Sequence, residues 1–151
     1  MQDTIFINEK TFEKARKEIR KNKGREIIFS SNDDELNRKI LEKEKINVLL
    51  LNHKGRRDRQ KQRESGLNHV LAKIAKKNNI AIGVNFDEIF EARGKAKADI
   101  LARISQNIKL CNKARIPMKF IAQKKENYRD INDLKALGLV LGMPTWMTKE
   151  I

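Results

Sequence analysis

The sequence is poor in the residues that build covalent or metal-held scaffolds. A single cysteine, Cys111, excludes a disulfide framework and any cysteine-rich zinc module, so a reducing, cytoplasmic setting is expected. His53 and His69 are the only imidazoles, and no H-x-H, H-E-x-x-H or C-x-x-C spacing occurs. Neither glycine signature for phosphates, G-x-x-x-x-G-K-S/T or G-x-G-x-x-G, is present. Aromatic residues make up 5%, too few to suggest bases stacked on a sheet. Two prolines and seven glycines form no linker-like tract. No apolar run approaches the roughly 20 residues of a membrane span. Met1-Gln2-Asp3-Thr4 shows neither a basic nor an apolar leader segment, so nothing suggests export.

Positive charge is what the chain has in excess. Its 151 residues hold 34 Lys+Arg against 20 Asp+Glu, a formal charge of +14. That length fits one domain, 1–151, with a core of its own. The charge favours a polyanionic partner, nucleic acid ahead of an acidic membrane surface.

Short β-branched runs alternate with helical patterns along the chain. Thr4–Ile7, Arg25–Ser30, Val48–Leu51, Ile80–Val84, Met118–Ala122 and Leu139–Leu141 read as six strands. Helices are expected over about 9–22, from an N-cap at Ser31–Asp34, over 67–77, 93–115 and 130–137, and after Pro144. Strands that are apolar throughout fit a sheet covered on both faces. The strand–helix–strand rhythm implies parallel pairing with right-handed crossovers. A reduced barrel and an open doubly wound sheet both satisfy it.

The segment Lys54–Arg63, after the third strand, holds six cations (Lys54, Arg56, Arg57, Arg59, Lys61 and Arg63) against one anion. It has no large apolar residue to give a core. Loops after strands lie at the carboxyl end of a parallel sheet, where ligands bind. Arginines there can fork onto phosphate oxygens, a contact that recognises polyanion and not sequence. A solvated charge run would have the same composition. In the next helix Leu67, Val70, Leu71, Ile74 and Ala75 form a core-facing stripe, with His69, Lys73 and Lys76 opposite. His69 then faces RNA, a partner or solvent.

In the long helix Ile100, Leu101, Ile104, Ile108 and Cys111 define a buried stripe, which makes Cys111 a core residue. Arg93, Lys95 and Lys97 at its start oppose the helix dipole, a conflict that a bound anion would relieve. Asp33-Asp34-Glu35 and Asp87-Glu88-Glu91 read as helix-start residues.

Three stretches then carry a family resemblance. Ser65-Gly66-Leu67-Asn68-His69-Val70-Leu71-Ala72-Lys73-Ile74-Ala75-Lys76-Lys77-Asn78 resembles the signature of ribonuclease P protein component 3, an archaeal family. Leu36–Leu41 through Asn47–Leu50 and Asp133–Met143 resemble two further passages of it, in the right order. The likeness covers about 25–143 well and 1–24 loosely. It implies a TIM-like α/β barrel related in shape to metal-dependent hydrolases but without their metal ligands. It implies a non-catalytic subunit beside a catalytic RNA that removes the 5′ leader of precursor tRNA. The expected partners are ribonuclease P RNA, precursor tRNA, ribonuclease P protein component 2 and the other ribonuclease P proteins, with no membrane. No cofactor is expected in the protein, and Mg²⁺ is expected with the RNA.

Asn68, His69, Lys73 and Arg129 join the loop cations as expected RNA contacts. The loop Gln123–Arg129 lacks the family's usual Ser-Ser-Ala start, although Arg129 and Asp130 fit the passage that follows it with a slight change of spacing. Family members are longer, so the expected barrel is reduced, with about six parallel strands and incomplete closure. An unpaired strand edge would then need a helix, a partner or RNA to cover it. Two other classes stay open. One is a metal-dependent phosphoesterase relying on Asp87 or Glu88; the other is a generic basic RNA-binding protein.

Overall fold

The computed structural model describes residues 3–151. Met1 and Gln2, half of the segment read above as leader-free, lie outside the described residues. Five strands, β1 (Thr4–Ile7), β2 (Glu26–Ser30), β3 (Val48–Leu51), β4 (Ala81–Asn85) and β5 (Met118–Ile121), make one parallel sheet. Their order is β1-β2-β3-β4-β5. A doubly wound sheet reverses its strand order at a switch point, and this one does not, so the fold is barrel-like. The helices are α1 (Phe12–Lys21), α2 (Asp34–Lys43), α3 (His69–Lys77), α4 (Phe86–Glu91), α5 (Gly94–Ala114), α6 (Ile131–Leu141) and α7 (Thr145–Thr148).

Local chemistry fixes most helix starts. The side chains of Thr11, Asp33, Asn68, Asn85 and Asp130 each accept a backbone N–H from the first turn of α1, α2, α3, α4 and α6. The parallel register separates two sheet faces. Ile5, Ile27, Phe29, Leu49, Leu51, Ile82 and Val84 pack outward against the helices, with Ala15, Ile40, Ala75, Ile104, Ile108 and Cys111 in the same core. Burying each of the larger side chains contributes about 1.5–3 kcal/mol. The other face holds a small separate cluster of Ile28, Val48, Leu50 and Ala81, flanked by Ile121. Gly83 lies on this face because a Cβ there would sit 3.0 Å from Val48 Cγ1 and 3.2 Å from the Leu50 Cα. Phe6, also on it, stays 44% exposed, so the concave side is only partly filled. Among the described residues β1 and β5 each have one neighbouring strand, and they do not pair with each other.

Two expectations change, and the helix start read at Asp87 and Glu88 belongs to a short helix that the sequence reading does not include. Leu139–Leu141, the expected sixth strand, is the last turn of α6. Gly138 reads as a helix stop but is a packing glycine, since a Cβ would meet Met143 Sδ at 2.8 Å. The real stop is Gly142, left-handed at φ 108°. Val70 is 43% exposed, and Ala72 takes its place in the core, so the stripe of α3 is rotated by part of a turn. Asp87 and Glu88 begin α4, a helix of its own before the long α5.

Candidate nucleic-acid interface

The loop between β3 and α3 carries most of the expected RNA contacts, and the structure holds it rigidly. Arg103 on α5 is the centre of the clamp. Its guanidinium donates to Asp58 Oδ1 at 3.0 Å, to the His53 carbonyl at 2.9 Å and to the Arg56 carbonyl at 2.8 Å. One helical turn on, Gln106 donates to the Arg63 carbonyl and Ser65 Oγ, and Asn107 to the Ser65 carbonyl. Adjacent carboxylates on α4 grip two loops at once. Glu88 accepts the backbone N–H groups of His53 and Lys54, while Asp87 accepts those of Gln123 and the Asn127 amide. Both acids proposed for a phosphoesterase are therefore engaged in holding loops.

The ends of β3 and β4 carry amides, Asn52 and Asn85, and not carboxylates or imidazoles. Asn52 donates to Ser30 Oγ and Asn32 Oδ1, and Asn85 donates to Asn52 Oδ1. Among the described residues no three His, Cys, Asp or Glu side chains converge on a point that could hold a metal ion. Ordinary amides at these positions donate and accept hydrogen bonds but supply no anionic ligand.

The expected contact residues divide by what they already hold. Arg56 forks onto Asp34 at 2.8 and 2.9 Å and donates to the Asn52 carbonyl, leaving its side chain 11% exposed. Arg63 pairs with Asp58 at 3.1 Å and faces Asp99 at 3.6 Å. Arg59 sits 3.6 Å from Glu64 with its side chain 82% exposed. Lys54, Arg57 and Lys61 are exposed and in no ion pair among the described residues. His69 and Lys73 are exposed on the first turns of α3, and Asn68 caps that helix through its Oδ1. Arg129 lies apart, after β5, with its guanidinium 4.3 Å from the Phe90 ring centre and bonded to the Glu126 and Tyr128 carbonyls. Like the β3–α3 loop, it follows a strand, so all these residues share the carboxyl end of the sheet.

Burial and charge set the titration of this end. His53 is buried, its Nδ1 has no hydrogen-bond partner, and its pKa is pushed down to about 3 by desolvation and then by Arg56 and Arg103. The Arg103 hydrogen bond holds Asp58 below the usual carboxylate range, and the Lys95 hydrogen bond does the same for Asp99. The start of α5 has no side-chain cap, and Lys95 there pairs with Asp99. A cavity of about 430 Å³ beside it sets Lys54, Arg56, Arg93 and Arg103 against Glu88, Glu91 and Asp99, so its walls carry both signs. Sequence reasoning missed Arg103, Gln106 and Asn107, and it took Glu88 as a helix-start or phosphoesterase acid and not as an anchor of the loop. The available signal was phase: Arg103 and Asn107 follow Ile100 and Ile104 by three residues, on the buried side of α5.

A family model described as RNase P subunit p30 matches residues 32–151. The chain belongs to that family. Ribonuclease P protein component 3 of Methanococcus maripaludis strain C7 is 29% identical over 144 residues, covering 95% of this chain and 57% of the relative. The protein of the same name from Methanocaldococcus jannaschii is 27% identical over 149 residues, covering 96% and 62%. A chain in the cryo-EM structure of archaeal Ribonuclease P with mature tRNA superposes with a TM-score of 0.82 at 26% identity, covering 98% of this chain and 63% of that one. The chain thus spans about three fifths of the length of the relatives it matches. The p30 match extends the resemblance read from sequence through α7. No helix among the described residues is long and apolar enough to cross a membrane.

Proposed function

We propose that this p30-family chain is a protein subunit of ribonuclease P, bound to the catalytic RNA during removal of the 5′ leader from precursor tRNA. The carrying observation is the clamped β3–α3 loop. Arg103, Asn107 and Glu88 fix its backbone while Lys54, Arg57 and Lys61 stay exposed and in no ion pair among the described residues, with His69 and Lys73 exposed on the helix that follows. A surface ordered in advance loses little entropy on binding, and each neutralised phosphate releases counterions. Arg59, Arg63 and Arg129 can add contacts by exchanging weak partners; Arg56 serves the loop from within. The chain performs no bond-breaking in this reading. Mg²⁺ accompanies the RNA, and no residue here is assigned to it. Ribonuclease P protein component 2 and the remaining ribonuclease P proteins are the proposed protein partners, in the cytoplasm.

The test is reconstitution of precursor-tRNA cleavage from the RNA and the other proteins, with and without this chain. Omission should slow cleavage. The triple variant Lys54→Gln, Arg57→Gln, Lys61→Gln should flatten the salt dependence of RNA affinity by about 2–3 units of log K against log salt. An unchanged slope would remove the loop from the interface, and unaltered cleavage on omission would reject the subunit assignment.

A further inference from the structure

A second set of cations lies at the opposite end of the sheet. Segments 22–25, 44–47 and 78–80 leave α1, α2 and α3 and enter β2, β3 and β4. Between them runs a groove of about 920 Å³ whose walls include Arg20, Lys23, Arg25, Lys43 and Lys45. The single carboxylate among its described lining residues, Glu44, is buried between Arg16 at 3.2 Å and Arg20 at 3.6 Å. Lys23, Arg25, Lys43 and Lys45 are exposed and enter no ion pair among the described residues. A hollow of about 420 Å³ shares Asn47 and Asn79 with the groove, but its walls set Lys76 and Lys119 against Glu26 and Glu150, so the excess of cations is confined to the groove itself.

Helix dipoles account for part of this charge only. Cations are favoured within the last turn of a helix, as Lys21 and Lys43 are placed. Lys23, Arg25 and Lys45 lie beyond the helix ends, in the connecting turns, where that attraction has faded. The apolar lining, Ile19, Ile27 and Ile46, is buried, and none of the large exposed apolar residues reaches the groove. A protein partner or a lipid surface would need such anchors; a phosphate backbone needs only positive charge and room.

We propose that this groove is a second RNA contact, taking phosphates from a backbone segment other than the one at the β3–α3 loop. Strands of this length rise about 3.3 Å per residue, so the two ends lie more than about 13 Å apart, beyond the span of one phosphate. The polyanion character of the groove stands on its own charge, while the choice of RNA rests on the function proposed above. Two separated contacts on one RNA raise avidity together.

The test compares the wild type with the triple variant Lys23→Gln, Arg25→Gln, Lys45→Gln, the loop variant, and their sixfold combination. Each is titrated with a ribonuclease P RNA transcript across a range of KCl. The groove variant is expected to flatten the salt slope by about 2–3 units and the sixfold variant by about twice that, with thermal midpoints no lower than that of the wild type. A folding defect is bypassed on the wild-type chain, where bound RNA should shield Lys23, Lys43 and Lys45 from acetylation. An unchanged slope, or full acetylation of these lysines in the complex, overturns the proposal. So does a groove variant that loses binding to phosphatidylglycerol vesicles or polyglutamate while its RNA slope holds. Equal affinity for an unrelated structured RNA, with the groove effect retained, would reject the ribonuclease P assignment and leave the groove standing.

Discussion

His53 is held neutral in the core, and this gives the fold a pH dependence with a clean window. Its folded pKa of about 3 lies below the ordinary 6.5, so the unfolded chain binds the extra proton between those values. The neutral form's stabilisation is complete above 6.5 and is lost as pH falls toward 3, at up to about 1.4 kcal/mol per pH unit. Asp58 and Asp99 are both held below the usual carboxylate value, so their contributions fade only below about 3.8. Denaturant midpoints measured from pH 4 to 7 should therefore rise in the wild type and rise less in His53→Phe; parallel curves would show that His53 is not the source. Arg103 is the other decisive residue. Arg103→Lys keeps the charge, but an ammonium cannot reach Asp58 and the carbonyls of His53 and Arg56 together. A loss of about 3 kcal/mol and faster amide exchange across 54–64 are expected. Protection equal to wild type would mean the loop orders itself. Neither role was legible beforehand, because an apolar stripe marks which side of α5 is buried and not which polar residues share it.

At the scale of elements, the strand and helix rhythm was readable because each unit carries its own signals: a β-branched run, then an Asn, Asp or Thr cap. The reading failed where a short apolar run stood between two glycines, as at Leu139–Leu141, which reads as a strand and is the end of a helix. Propensity could not decide which glycine ended α6, since Gly138 is held inside the helix by packing against Met143 just past the turn and against Thr148 and Ile151 beyond it. Gly142 ends the helix through its backbone alone. It has φ 108° and nothing within 4 Å of where a Cβ would stand, so Gly142→Ala meets no clash. Its expected cost, about 1–2 kcal/mol, is the strain of a left-handed L-residue. Thermal denaturation measures it, and a variant as stable as wild type would mean the α6–α7 turn can relax. The basic loop was legible in composition and illegible in stiffness: the sequence has its cations in one run, whereas the clamp comes from α4 and α5, some 35 to 50 residues away.

For the whole molecule, the βα rhythm left two strand orders open, the sequential one of a barrel and the reversing one of a doubly wound sheet; the family resemblance pointed to the first, and neither told the state of the two edges. Edge pairing depends on what lies beside β1 and β5, and no residue pattern within a strand records it. Charge is likewise a global property. At the carboxyl end, acids answer Arg56, Arg63 and Arg103; within the groove the free cations outnumber its one lining carboxylate, Glu44. The net charge of +14 makes self-repulsion compete with the clamp, and salt weakens both. The clamp pairs are short and partly buried, so screening reaches them poorly, whereas the groove cations face water. Raising KCl from about 0.02 to 0.2 M shortens the screening length from roughly 20 Å to below 10 Å and should therefore raise the thermal midpoint. A gain of about 1 kcal/mol corresponds to about 2–4 °C for a chain of this size. Lys23→Gln, Arg25→Gln, Lys45→Gln should show a smaller rise, having less repulsion to screen. A midpoint that falls with salt would mean that the ion pairs dominate the charge balance of the fold, and that the groove's cations repel one another too weakly to matter.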